Sequence, residues 1–187
     1  MILQFHSKSA LLKNHQWLPE DALRRLSNFS EDSVEYDGNV YSTVEHAFQA
    51  QKYKFSNKPE LVQMFYKENS GFPSAKENSG FPSCGTIKTA AEAKTAGGKG
   101  GMKTRGAVLD VECWNNNRDT IMNALIKSKI QRNPYIRSIL EIAATHNIEF
   151  VHFSRSDMYW GAHVNEDGTL KKGLNKLGEI YNKYINN

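Results

Sequence analysis

Between Thr43 and Phe55 the order of residues suits one regular structure with a covered side, an α-helix. At 3.6 residues per turn, Val44, Phe48 and Phe55 form an apolar stripe, and Glu45, Gln49 and Lys52 share an adjoining sector about 60° wide. A carboxylate, an amide and an amine therefore project together from the edge of a face that must be buried. Two readings follow. Ser42 can be the N-cap with Glu45 as its capping-box partner at N3, where a carboxylate also suits the helix dipole. Alternatively, the three polar groups line a site for holding or cutting a polar ligand. Spacing alone favours the cap.

The remaining chain reads as several helices with few strands. Val34 to Tyr41 reads as two short strands about an Asp37-Gly38 turn. Pro59 suits the first position of a helix running to about Lys67, with Leu61, Met64 and Phe65 on one side. Residues 67–74 are repeated without change as 76–83, which reads as a tandem duplication lengthening a surface loop at about 67–84. Thr89 to Ala96 is alanine-rich and helical, and Gly97-Gly98-Lys99-Gly100-Gly101 is expected to stop it as a mobile loop.

A second clear helix spans Trp114 to Lys129, where Arg118 and Lys129 interrupt a face built from Trp114, Ile121 and Leu125. A cation on a covered face needs an anionic partner, either a protein carboxylate or a ligand phosphate. Asn133-Pro134 starts another helix, reaching about Thr145, with Ile136, Ile139, Leu140 and Ala143 inward. Ile148 to Phe153 is the best strand candidate, and Leu174 to about Ile185 forms the last helix, with Leu177, Tyr181 and Tyr184 inward. The expected fold is mainly α with a few short strands (α+β), a single domain over 1–187, and not a doubly wound sheet.

Composition narrows the function classes. The chain has 187 residues, 39% of them hydrophobic, enough for one core. No apolar run reaches the ~18–20 residues of a membrane span. Met1 to Phe5 is followed by His6 and Lys8 without a long apolar core, so a signal peptide is not expected. A cytoplasmic location is expected, a nuclear one remaining open. Cys84 and Cys113 stand outside any CxxC or Cys/His cluster and the six histidines are scattered, so neither a metal nor a cofactor is expected. The net charge of +4 tolerates an anionic ligand. It is concentrated locally: Lys88, Lys94, Lys99, Lys103 and Arg105 face Glu92 alone between Cys84 and Arg105.

Ser154 to Gly161 follows the strand candidate and holds Asp157, Tyr159, Trp160 and Gly161, the kind of turn where ligand contacts often sit. Trp160 can stack on a base or sugar or fill the core, and Asp157 can bond a hydroxyl or cap a turn.

Taken in order, these blocks resemble the NADAR family of YbiA-like N-glycosidases. The resemblance rests on Leu26-Ser27-Asn28-Phe29, on Thr43 to Lys52, and on Trp114 with Arg118, Met122, Lys129 and Gln131. Asp157 to Gly161 and Gly173 to Gly178 complete it. The duplication departs from the family pattern by lengthening the segment before Ala93-Lys94, and Lys99 stands about where the family carries arginine. Thr145-His146 replaces a Thr-Gly pair.

The resemblance implies a compact, mainly helical fold with a cleft, and hydrolysis of an N-glycosidic bond to ribose. The substrate would be ADP-ribose attached to guanine, with ADP-ribosylated DNA or RNA as possible partners. The alternative is a ribosylamino intermediate of riboflavin synthesis, a ribosyl phosphate. Cleaving such a bond passes through an oxocarbenium-like centre, which needs nearby negative charge and a proton for the leaving nitrogen. Glu45 is the first candidate for that role, with Asp157 contacting the ribose. Lys52 would be the third catalytic residue, either as a Schiff-base amine or as an ion-pair partner. Asn28, Phe29, Gln49, Tyr159, Gly161 and Asn175 would shape the substrate site, Trp114 and Trp160 would stack, and Arg118 and Lys129 would hold phosphate. A non-catalytic module binding ADP-ribose or a related nucleotide is the reading from another class. Neither a membrane partner nor an oligomeric state is implied.

Overall fold

The computed structural model describes residues 1–13, 16–67 and 84–185. In chain order its elements are β1 (Ile2–Phe5), α1 (Ala22–Arg25), β2 (Val34–Tyr36), β3 (Asn39–Tyr41), α2 (Val44–Lys54) and a 3₁₀ helix (Pro59–Phe65). Then come α3 (Ala90–Ala96), α4 (Lys99–Thr104), α5 (Val111–Arg132), α6 (Pro134–Thr145), β4 (Glu149–His152), β5 (Ala162–Val164), β6 (Leu170–Gly173) and α7 (Lys176–Ile185). Helices dominate, and the named strands pair only in twos, so the fold is mainly α with short strands, as the sequence implied. The duplicated segment lies outside the described residues except for Lys67. No helix among the described residues is long and apolar enough to cross a membrane.

The chain divides into two compact units, one of Met1–Ser30 with Asn133–Asn187 and one of Glu31–Arg132. In the first, β1 pairs in parallel with β4, from Ile2 beside Glu149 to Phe5 beside His152. β1 escaped the sequence reading because its partner lies at the far end of the chain. The Asn133 side chain caps α6 by accepting from the Tyr135 and Ile136 amides, and Pro134 fits the first turn, where no amide is needed. Ile136, Ile139, Leu140 and Ala143 then face inward as the periodicity required. Phe5 meets Phe150 and Tyr181 edge-on, and the Tyr181 hydroxyl donates to the Leu26 carbonyl at 2.9 Å. β5 and β6 form an antiparallel pair with a bulge, also unread from the sequence.

In the second unit β2 and β3 form the expected hairpin. Asp37 (φ 53°) and Gly38 (φ 72°) both take left-handed backbone at the tip, as a two-residue hairpin turn demands. Two expectations need correction. The Pro59 helix is 3₁₀, so with three residues per turn Val62 shares a face with Phe65, and Val62 rather than Leu61 joins Met64 and Phe65 in the buried set. The glycine cluster is not a loop: Gly97 caps α3, and Lys99-Gly100-Gly101 opens α4. Gly101 has a packing reason, since a Cβ there would lie 2.8 Å from Ala96 Cα and closer still to the Thr95 carbonyl.

Candidate active site

The second unit builds its polar cluster on α2. Thr43, in extended backbone, is the N-cap, and its Oγ1 accepts from the His46 amide at 3.2 Å. This overturns the Ser42–Glu45 capping box, because moving the cap one residue on makes His46 the N3 residue. Glu45 turns inward instead. It is 6% exposed and its Oε1 accepts from Gln49 Nε2 at 2.8 Å. The reciprocal capping box of this unit is elsewhere, between Thr89 and Glu92 at the start of α3.

One helical turn further, Lys52 donates its ammonium to the Gly97 carbonyl at 3.2 Å. The same Nζ lies 5.9 Å from the Phe48 ring centroid and 5.8 Å from that of Trp114, within cation–π range of both. Phe48 and Trp114 meet edge to face at 5.0 Å. Trp114 is buried, with Phe48 and Phe55 against its ring and Lys52 over it, so protein groups take up the contacts expected of a sugar or base.

His46 belongs to this cluster and went unread as a functional candidate. It is 1% exposed, and its Nδ1 lies 2.9 Å from Thr43 Oγ1. Burial pushes its pKa below the ordinary histidine value, opposed by the Ile87 carbonyl and the Glu92 charge. Its position three residues after a threonine was the available signal.

The two α5 cations separate. Arg118 is partly exposed, with Nε 3.9 Å from Asp119 Oδ1. Lys129 is fully buried and pairs with the equally buried Asp32 at 3.7 Å. Of the two anionic partners the sequence left open, the structure supplies the protein carboxylate.

The first unit collects the other candidates. The exposed Asp157 accepts the Tyr159 and Trp160 amides on Oδ1, each at 3.1 Å, and so fastens its turn. Trp160 is buried and meets Tyr159 edge-on at 5.1 Å. Gly161 is a glycine for want of space, since a Cβ would lie 2.7 Å from Ser154 Cβ. Asn175 holds left-handed backbone (φ 49°), and its buried amide accepts from the His152 amide at 2.8 Å and donates to the Phe150 carbonyl at 3.3 Å. The amide thus clasps β4. Asn28 and Phe29 are half-buried in a turn where the Phe29 amide donates to Ser27 Oγ at 3.2 Å.

Among the described residues no three His, Cys, Asp or Glu side chains converge as a metal site. The structure thus brings Glu45, Gln49, Lys52 and Trp114 together in one unit, and Asp157, Tyr159, Trp160, Gly161 and Asn175 together in the other.

The family model described as "NADAR domain" matches residues 14–184. The chain belongs to the NADAR family. Among relatives, the N-glycosidase YbiA of Shigella flexneri serotype 5b (strain 8401) is 26% identical over 155 residues, covering 83% of this chain and 75% of that protein. The N-glycosidase YbiA of Escherichia coli (strain K12) is 25% identical over the same share of each. The NMR structure of the E. coli protein YbiA matches with a TM-score of 0.60 at 20% identity, covering 99% of this chain and 83% of that one. That likeness carries the fold. Within the NADAR match lie both the α2 cluster and the Asp157 turn.

Proposed function

We propose that this NADAR protein is an N-glycosidase, a hydrolase that cleaves a ribosyl C–N bond and releases ADP-ribose from ADP-ribosylated guanine. The reading draws support from the relatives named N-glycosidase and, above all, from Glu45, a buried carboxylate held by Gln49 rather than used as a helix cap. A carboxylate fixed in a water-poor setting suits the positive charge that develops at the ribose anomeric carbon.

In the reaction the C–N bond breaks and its electron pair leaves with the base nitrogen, which takes up a proton. Water adds to the anomeric carbon and gives up a proton to the Glu45 carboxylate, which relays it to the departing nitrogen and is thereby restored. Lys52 offers a second course. The furanose opens at its ring C–O bond to leave C1 doubly bonded to the base nitrogen, and the Lys52 amine adds to C1. The resulting aminal expels the base nitrogen with a proton to leave a lysine imine, which water hydrolyses to the free sugar and the amine. That course first requires proton loss from the ammonium that now donates to Gly97.

The test offers a DNA oligonucleotide carrying ADP-ribosylated guanine beside a ribosylaminouracil phosphate, with mass spectrometry of the products. We expect release of ADP-ribose from the oligonucleotide, and a loss of about 10²–10⁴-fold in Glu45→Gln with binding retained. Cleavage of the uracil compound alone would move the substrate to the riboflavin intermediates. Binding of ADP-ribose with no cleavage of either would leave a binding module. Borohydride treatment during turnover decides the role of Lys52: an adduct in wild type that is lost in Lys52→Ala assigns the imine, and no adduct removes it.

A further inference from the structure

Gly97 ends α3 with φ −85° and ψ −1°, a backbone open to any residue. Its lack of a side chain therefore answers to space. A Cβ there would lie 2.6 Å from Gln49 Cβ, 3.0 Å from Gln49 Cδ, and closer still to Gln49 Oε1. The Gln49 side chain thus occupies the volume an ordinary residue 97 would fill. From that seat its amide nitrogen reaches Glu45.

The carbonyl of the same residue accepts from Lys52, and the preceding carbonyl, of Ala96, accepts from Tyr53 at 2.8 Å. These oxygens sit at the C-terminal end of α3, which lacks onward helical donors and carries partial negative charge, so an ammonium is well placed there. One residue on α3 therefore touches both neighbours of the cluster, Gln49 through its bare Cα and Lys52 through its oxygen.

We infer that Gly97 is a positioning residue for the α2 cluster: its open Cα seats Gln49 against Glu45 and its carbonyl anchors Lys52. The inference rests on the proposed role of Glu45 for its catalytic consequence, though not for its structural content. Adding a methyl at 97 displaces the Gln49 amide, and Glu45 loses a donor to its charged form. The Glu45 titration then moves to higher pH.

The experiment compares Gly97→Ala with Gly100→Ala, a control in the neighbouring helix whose Cβ would meet nothing within 4 Å. Side-chain carboxyl ¹³C resonances follow Glu45 without any substrate. We expect its midpoint to rise in Gly97→Ala and to stay in place in Gly100→Ala. On the ADP-ribosylated guanine oligonucleotide, kcat should fall by about 10²-fold in Gly97→Ala with KM little changed. An unmoved Glu45 titration in folded Gly97→Ala overturns the inference. If Gly97→Ala does not fold, adding Gln49→Gly should restore folding by vacating the shared volume, and failure to do so overturns it equally. A shifted titration in a protein whose wild type cuts neither substrate would leave the positioning role standing and remove the glycosidase reading.

Discussion

Replacing Lys129 is the sharpest test of how the second unit is held together. At 3.7 Å, and with an effective dielectric constant of about 20, the Lys129–Asp32 attraction is worth about 4.5 kcal/mol. The side chains are 0% and 2% exposed, so each ion also forfeits several kcal/mol of hydration. The two terms nearly cancel while both ions are present. They do not cancel once one is removed, because the other charge stays buried without its counter-charge. Lys129→Met should therefore destabilise the protein by about 3–5 kcal/mol, although methionine matches the length and apolar stem of lysine. At roughly 2–4 °C per kcal/mol for a chain of this size, the melting temperature falls by about 6–20 °C.

Asp32→Leu alone should cost a similar amount, and the double variant should recover to within about 1 kcal/mol of wild type or exceed it. Equilibrium urea unfolding of the four proteins closes the cycle. The reasoning fails if Lys129→Met costs less than about 1 kcal/mol, or if the two single losses simply add. It also fails if Lys129→Met keeps its stability and raises KM, for then the ammonium serves a substrate phosphate.

Two further outcomes are expected. Thr43→Ala should cost about 0.5–2 kcal/mol in urea unfolding, as loss of an N-cap does, while Ser42→Ala stays within about 0.5 kcal/mol of wild type; the reverse order would return the cap to Ser42. The second concerns pH. His46 has a folded pKa below its unfolded one, so the unfolded chain binds more protons between the two values. Stability contributed by neutral His46 is present above the unfolded pKa of about 6.5 and is lost as pH falls through that value toward the folded pKa. Urea midpoints measured from pH 7.5 down to pH 5.5 should decline in wild type and decline less in His46→Gln, and equal slopes would contradict the burial argument.

Local signals in the sequence carried over well. The Asp37-Gly38 tip, the Asn133-Pro134 start of α6 and its inward face were legible because each is decided within a few residues. β1 was not, because Ile2 to Phe5 is a strand only beside Glu149 to His152. β6 was not, because Leu170 to Gly173 is largely exposed and shows no apolar alternation. In the candidate site, periodicity placed Glu45, Gln49 and Lys52 on one side of α2, yet a single residue of uncertainty in the cap reversed the meaning of Glu45. For Lys129 the sequence required an anion without naming it. Asp32 stands in the polar run Glu31-Asp32-Ser33, where nothing local announces a buried carboxylate.

The polar residues of α2 follow from its burial. Nine of its eleven residues are buried, so most of the polar sector beside the apolar stripe is covered as well. Each desolvated group must find a partner inside: Glu45 takes Gln49, His46 takes Thr43, and Gln51 donates to the Tyr41 hydroxyl at 3.2 Å. Two buried atoms of α2 are left over, His46 Nε2 and Gln49 Oε1, and the second lacks a hydrogen-bond donor. Turning the amide over would set oxygen against the Glu45 carboxylate, so the orientation is fixed by Glu45 and the vacant acceptor follows from it. Such an acceptor costs about 1–3 kcal/mol, and leucine would avoid that cost while filling similar space. A scaffold helix has no reason to keep it. A helix that must hold a carboxylate in a chosen orientation does, which supports the role proposed for Glu45.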